Sequence, residues 1–251
     1  MLNGCKVIGN KVLNETDAVV GVYAGLGTVM SNCVIRANKG AGSCVSLHAG
    51  IDEVAKVMRT NAVEVVNCTV SDNACKDGVD VGARAIVRNT LITGTTGNYG
   101  GIYISGTEFR IDNCTIAGNA VGVRSPGNVT EAIRNCIIYG NDREIWQAML
   151  VSPHTGLHYT NCLCSADATY KIDIKDPLNP GCILADPKFT DAANGDYSIV
   201  RKSPCRDKGF PCAWHADYVD FAGNPRIFGK AVDIGCYENQ EPDPGLILLL
   251  R

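Results

Sequence analysis

One phrase recurs along this chain and limits what it can fold into. It is an asparagine, a cysteine or threonine, any residue, then Val or Ile, with a short link to a second asparagine or Gly-Asn. It reads Asn32-Cys33-Val34-Ile35 to Asn38, Asn67-Cys68-Thr69-Val70 to Asn73, Asn113-Cys114-Thr115-Ile116 to Asn119, and Asn135-Cys136-Ile137-Ile138 to Asn141. Asn89-Thr90-Leu91-Ile92 is a further copy, and Gly4-Cys5 and Asn161-Cys162 begin weaker ones. The Cys/Thr position falls at 5, 33, 68, 90, 114, 136 and 162, so the shortest interval is 22 residues and longer ones hold insertions. Each unit carries three short alternating pieces, as in Gly101–Ile104, Phe109–Asp112 and Cys114–Ile116.

Three strands per turn of about 22 residues is the signature of a right-handed parallel β-helix, each rung pairing with the next at about 4.8 Å. The fold class is therefore all-β, a three-sheet solenoid of about seven rungs. Asparagine tolerates the left-handed conformation of a sharp bend and can bond to its copy one rung away. The cysteines after the bend then stack inward as small apolar residues, which places Cys5, Cys33, Cys68, Cys114, Cys136 and Cys162 in one packing column. Ile51–Thr60, inside the longest interval, reads as a helical insertion on the outside.

Composition excludes several classes. A net charge of −3 argues against a nucleic-acid binder. With 45% hydrophobic and 20% charged residues the chain is not disordered. No apolar run approaches the roughly 18 residues of a membrane span. Thirteen cysteines cannot all pair within the chain, and a core of this size does not need disulfides as its main support. His154 and His158 near Cys162 and Cys164 fall in a loop entering a strand, and Cys162 belongs to the inward column, so no metal is expected there.

The repeat fades near residue 165. Beyond it come Ala185-Asp186-Pro187-Lys188-Phe189 with Gly195-Asp196-Tyr197-Ser198-Ile199, Lys202-Ser203-Pro204-Cys205-Arg206-Asp207, and Asp220-Phe221-Ala222-Gly223-Asn224-Pro225-Arg226 with Val232-Asp233-Ile234-Gly235-Cys236-Tyr237-Glu238. Together these resemble the terminal region of bacterial right-handed β-helix repeat proteins, pectin-lyase-like in fold, of the choice-of-anchor Q type. The resemblance implies an exported or cell-surface protein, and buried thiols at Cys205 and Cys236. Cys205 and Cys212 are spaced to pair across a short loop.

The domain reading is then 1–165 as β-helix rungs, 166–238 as a C-terminal region closing the end of the solenoid, and 239–251 as linker and short apolar tail. An open solenoid end exposes a rung of unpaired backbone, which is why a cap is expected. Asp207, Asp220, Arg226 and Asp233 read as its turn and ion-pair residues. Asp191, Asn194 and Asp196 offer oxygen ligands for a structural calcium ion or, as an alternative, an Asx turn. The first rung starts at Met1 without a cap, so the chain is expected to be the C-terminal part of a longer product.

Aligning the units on their Gly-Val/Ile strand sends Val22, Val45, Val79, Ile102, Val123 and Ile145 inward. The next residues point outward as one column: Tyr23, Ser46, Asp80, Tyr103, Arg124 and Trp146. Sugar rings stack on aromatic faces, and Asp or Arg binds hydroxyls or uronate carboxylates. The pectin-lyase-like resemblance implies an active groove on this strand. Three functions stay open: a monomer binding polysaccharide or cell-surface glycan along this face; a polysaccharide lyase or glycoside hydrolase with Asp80 and Arg124 as catalytic residues; or a passive surface stalk. Asp77 and Asp80 stand near the carboxylate spacing of a hydrolase, and His48 with the Ile51-Asp52-Glu53 loop is expected to overhang the groove.

Overall fold

The computed structural model describes residues 1–12, 19–48, 51–52, 57–58, 62–127, 129, 131–147, 156–168 and 171–242. The chain is a parallel β-solenoid with three faces. The first face stacks Leu2–Asn3, Val29–Ser31, Val63–Val66, Ala85–Arg88, Arg110–Asp112, Ala132–Arg134 and His158–Thr160. The second stacks Lys6–Ile8, Val34–Arg36, Thr69–Ser71, Leu91–Thr93, Thr115–Ala117, Ile137–Tyr139, Leu163–Cys164 and Ile183–Leu184. The third stacks Val19–Gly25, Ser43–His48, Asp77–Val81, Gly100–Ile104, Val123–Ser125 and Ile145–Gln147, which makes six complete turns where the repeat predicts about seven.

The bend from first to second face is the phrase itself. Asn32, Asn67, Asn89, Asn113, Asn135 and Asn161 all sit in the left-handed region, with φ between 49° and 56°. Their amides bond along the stack: Asn67 Nδ2 donates to Asn32 Oδ1 at 2.6 Å, and Asn89 Nδ2 to Asn67 Oδ1 at 3.1 Å. The next column explains why cysteine and threonine alternate. Cys68 Sγ donates to Val66 O, as Thr90 Oγ1 donates to Arg88 O, and each accepts the backbone N–H of the rung before. The thiols are therefore hydrogen-bonding groups as well as apolar filling, and the column runs on to Cys182, which accepts from Cys162 N at 3.4 Å. Burial pushes the Cys68 thiol up to about 12, so it stays protonated and inert.

The second asparagine of the phrase forms another ladder inside the coil. Asn38 N donates to Asn73 Oδ1 at 3.0 Å and Asn119 N to Asn141 Oδ1 at 2.9 Å. Thr95 interrupts it, and its buried hydroxyl has no partner. Beside this ladder, Gly78 and Gly122 lie where a side chain would come within 2.7 Å of Gly101 O or 2.5 Å of Glu144 O, so the turn into the third face needs glycine for close approach.

One expectation changes, and the pairing of the cysteines, left open by the sequence, is settled. Ile51–Asp52 and Val57–Met58 pair antiparallel as a hairpin, not a helix. β-Branched residues favour extended backbone, and ten residues are too few to hold a helix alone. Cys44 and Cys75 form a disulfide across neighbouring rungs, with Cα atoms 6.0 Å apart. Cys205 and Cys212 are free thiols. The C-terminal region, 166–238, begins on the coil's end. Ile172, 2% exposed, joins the coil's core, and the stretch around it covers that end.

The later residues instead turn back along the flank. Lys208, Phe210, Val219, Asp233 and Gly235 offer carbonyls to Asn161, Asn135, Asn89 and Asn113. Cys236 N donates to Thr115 Oγ1 at 3.1 Å, and Ile199, Cys205 and Ile234 pack on Ile137 and Leu163. The exposed edges of the asparagine ladder recruit this cover, because buried amides need partners. Asp207, Asp220 and Asp233 serve as turn residues, their carboxylates accepting backbone N–H groups. Arg226 is fully buried and donates to Asn89 Oδ1 and to the Asp233 and Gly235 carbonyls, not to a carboxylate.

Candidate functional site

The third face is the one the C-terminal region leaves open. Its ladder sets Tyr23 against Ser46, Ser46 against Asp80, Asp80 against Tyr103, Tyr103 against Arg124 and Arg124 against Trp146. All six outward residues therefore stand in one register column. Their inward neighbours Val45, Val79, Ile102 and Val123 are fully buried, which fixes the strand's orientation.

The column divides into two poles. At one, Arg124 lies between two rings, 3.8 Å from the Tyr99 centroid and 3.9 Å from that of Trp146, and donates to Asn98 O at 3.1 Å. Lys76 Nζ stands 4.3 Å from the Tyr99 centroid, and Tyr99 meets Tyr103 edge to face at 4.8 Å. Two cations and three rings thus form one continuous stack, of which Lys76 and Tyr99 are additions to the sequence reading. Both were legible: each lies three residues before the inward Val79 or Ile102, one step further along the same alignment.

At the other pole, Asp80 is the shared acceptor. His48 Nε2 lies 3.2 Å from its Oδ2, and Ser105 Oγ donates to its Oδ1. The hydrogen bond to Asp80 holds His48 above its ordinary pKa, against the opposing effect of burial. With the carboxylate between histidine and serine, the serine has no base beside it, so this is not a nucleophile triad. Tyr23 stacks on His48 at 6.1 Å and extends the aromatic surface.

Three sequence candidates fare differently from the pattern. Ser46 is 4% exposed, a short side chain between longer neighbours, and makes no outer surface. Asp77 is fully buried, so it cannot act with Asp80 as a hydrolase pair on a substrate. Burial, with a smaller contribution from Asp80, raises its pKa to about 7, while Ser43 and Lys76 oppose the shift. Arg124, a guanidinium clasped by two rings, suits binding better than proton abstraction. Glu53 and His154 lie outside the described residues, as does the apolar tail.

Asp191 directs both carboxylate oxygens to Asn194, and Asp196 Oδ1 accepts from Ser198 N at 3.0 Å, so both carboxylates are engaged in local turns. Among the described residues no three His, Cys, Asp or Glu side chains cluster as metal ligands. Nor, among them, is any helix long and apolar enough to cross a membrane.

Comparison with known proteins agrees with the coil. The family model of the right-handed beta helix region matches residues 54–203. The chain belongs to that family. The β-helix also aligns with the crystal structure of pectate lyase Pel9A over 93% of this chain and 69% of that one, at 11% identity and a TM-score of 0.47. Full-length QnrB1, a plasmid-mediated fluoroquinolone resistance protein, aligns over 73% of this chain and 93% of its own, at 8% identity and a TM-score of 0.18. Neither likeness carries an argument about activity. No curated protein matches the sequence.

Proposed function

We propose that this β-helix binds an extended, carboxylate-bearing polysaccharide along its third face. The observation that carries the proposal is the stack of Lys76, Tyr99, Arg124, Tyr103 and Trp146 at successive rungs. Rings offer flat faces to sugars, and the two cations offer charge to carboxylates. The rung spacing of about 4.8 Å is close to the rise of one sugar unit, so a chain lying along the coil meets each group in turn.

The Cys44–Cys75 disulfide supports export to an oxidising compartment. The choice-of-anchor Q resemblance of residues 185–238 supports a bacterial cell-surface location. A second reading, lyase or hydrolase, draws on the His48–Asp80 hydrogen bond, which places an acid–base pair beside the stack.

Affinity electrophoresis in gels holding polygalacturonate or neutral xylan tests the proposal. Retardation by polygalacturonate alone, weakened at least tenfold in Tyr103→Ala and Arg124→Gln, is the expected result. No retardation in either gel, or equal retardation of both variants and the parent, contradicts it. Release of unsaturated or reducing ends that is lost in Asp80→Asn would establish the enzymatic reading.

A further inference from the structure

A second concave site lies on the first face, away from the glycan column. The segment Phe210–Trp214 passes over the strands Ala85–Arg88, Arg110–Asp112 and Ala132–Arg134 and leaves a groove of about 640 Å³. Arg88, Asp112 and Arg134 stand in register along its floor, with Arg110 two residues before Asp112. All three arginines act electrostatically on both Asp112 and Cys212, so their charges converge there.

The groove's carboxylates are already engaged. Arg134 Nε donates to Asp112 Oδ1 at 2.9 Å, and Glu131 Oε1 accepts from Glu108 N. Outside the groove, Glu64 reaches Arg88 only through Nη2, at 3.6 Å. Two buried donors have no partner: Arg88 Nε, on a side chain 11% exposed, and Trp214 Nε1. The Arg88 guanidinium stands 5.4 Å from the Trp214 ring, so both orphans belong to one corner of the groove. An unpaired buried N–H is costly, and two beside one another call for an anionic acceptor. Phe210, 46% exposed, lines the same groove, so the body of the ligand meets an aromatic face.

We propose that this groove binds a small carboxylate carried on a flat apolar ring. The carboxylate accepts from Arg88 Nε and Trp214 Nε1, Arg110 adds charge, and the ring lies against Phe210. The site is independent of the glycan face.

The chain has two tryptophans, one at each site, so Trp146→Phe leaves Trp214 as sole reporter. In that background, benzoate is titrated against fluorescence, with benzamide as the neutral control. A saturable change with benzoate, absent with benzamide, is expected. Its affinity falls at least tenfold in Arg88→Lys, which keeps the charge but removes Nε, and severalfold in Arg110→Gln, an exposed position that leaves the fold intact. Arg84→Gln, outside the groove, leaves it unchanged. No saturable change, an equal response to benzamide, or an unchanged affinity in both Arg88→Lys and Arg110→Gln overturns the proposal.

Discussion

In the coil a backbone amide finds its partner one rung away; along the C-terminal flank it finds a carboxylate. The strands from Leu2–Asn3 to Ile183–Leu184 repeat the same ladder on three faces, so each inner rung is held by two neighbours and the loss of one contact is shared. The flank has little regular structure. Asp220 alone accepts from the amides of Ala222, Asn224 and Glu238, and Asp207 from those of Lys230 and Ala231. Order in the coil is distributed, whereas order in the flank rests on single side chains.

The largest effect is therefore expected in the flank. Asp220→Ala orphans three amides at once, at about 1–3 kcal/mol each, and so costs about 3–9 kcal/mol. Limited proteolysis should then cut between residues 205 and 242 while the coil survives; unchanged resistance there would show that the flank is held some other way. Next comes the disulfide. Cys44 and Cys75 are 31 residues apart, and removing the crosslink in Cys44→Ala/Cys75→Ala costs about 3–4 kcal/mol by loop entropy. Thermal unfolding with and without reductant measures it, and the double variant should be insensitive to reductant.

A smaller effect separates the regions by pH. Asp77 is held at about 7 against an ordinary 3.8, so the folded coil binds its proton more tightly than the unfolded chain. Its stabilising contribution is full below the ordinary value and is lost as pH rises to about 7. Asp77→Asn removes that loss, so its Tm should gain on the parent as pH rises through the window and hold level above it. In the flank, burial followed by the charges of Arg226 and Arg134 lowers His215 to about 4, which gives the opposite slope: stability present above 6.5 is lost as pH falls from 6.5 to about 4. His215→Gln should flatten that acid limb. Smallest of all, Cys114→Thr should change stability by less than about 1 kcal/mol, because Thr90 already fills the equivalent place one rung away. A loss well above that would mean the thiols are not interchangeable with threonine.

The same contrast decides what could be read from sequence. The coil was legible because its period leaves copies: one asparagine bend predicts the next, and one Gly-Val/Ile strand fixes the outward residue of every other. Lys76 and Tyr99 lie on that alignment and needed only one more step along it. The Cys44–Cys75 crosslink was hidden because Cys44 lies one residue before its inward valine and Cys75 four before its own, so the two do not align. The path of the flank left no period at all. Its direction is set by which asparagine amides remain unsatisfied on the coil's corner, a property of the assembled ladder rather than of any segment. Asp77 shows the same limit, since its spacing to Asp80 suited catalysis and only packing reveals that it is buried.

The central claim, that the open third face is the ligand face, is tested most directly by the two tryptophans. Trp146 stands on that face and Trp214 on the flank-covered side. Oligogalacturonate should alter emission saturably in Trp214→Phe, where Trp146 reports, and leave Trp146→Phe unchanged. A response confined to Trp214, or none from Trp146 at saturating oligosaccharide, would contradict the account.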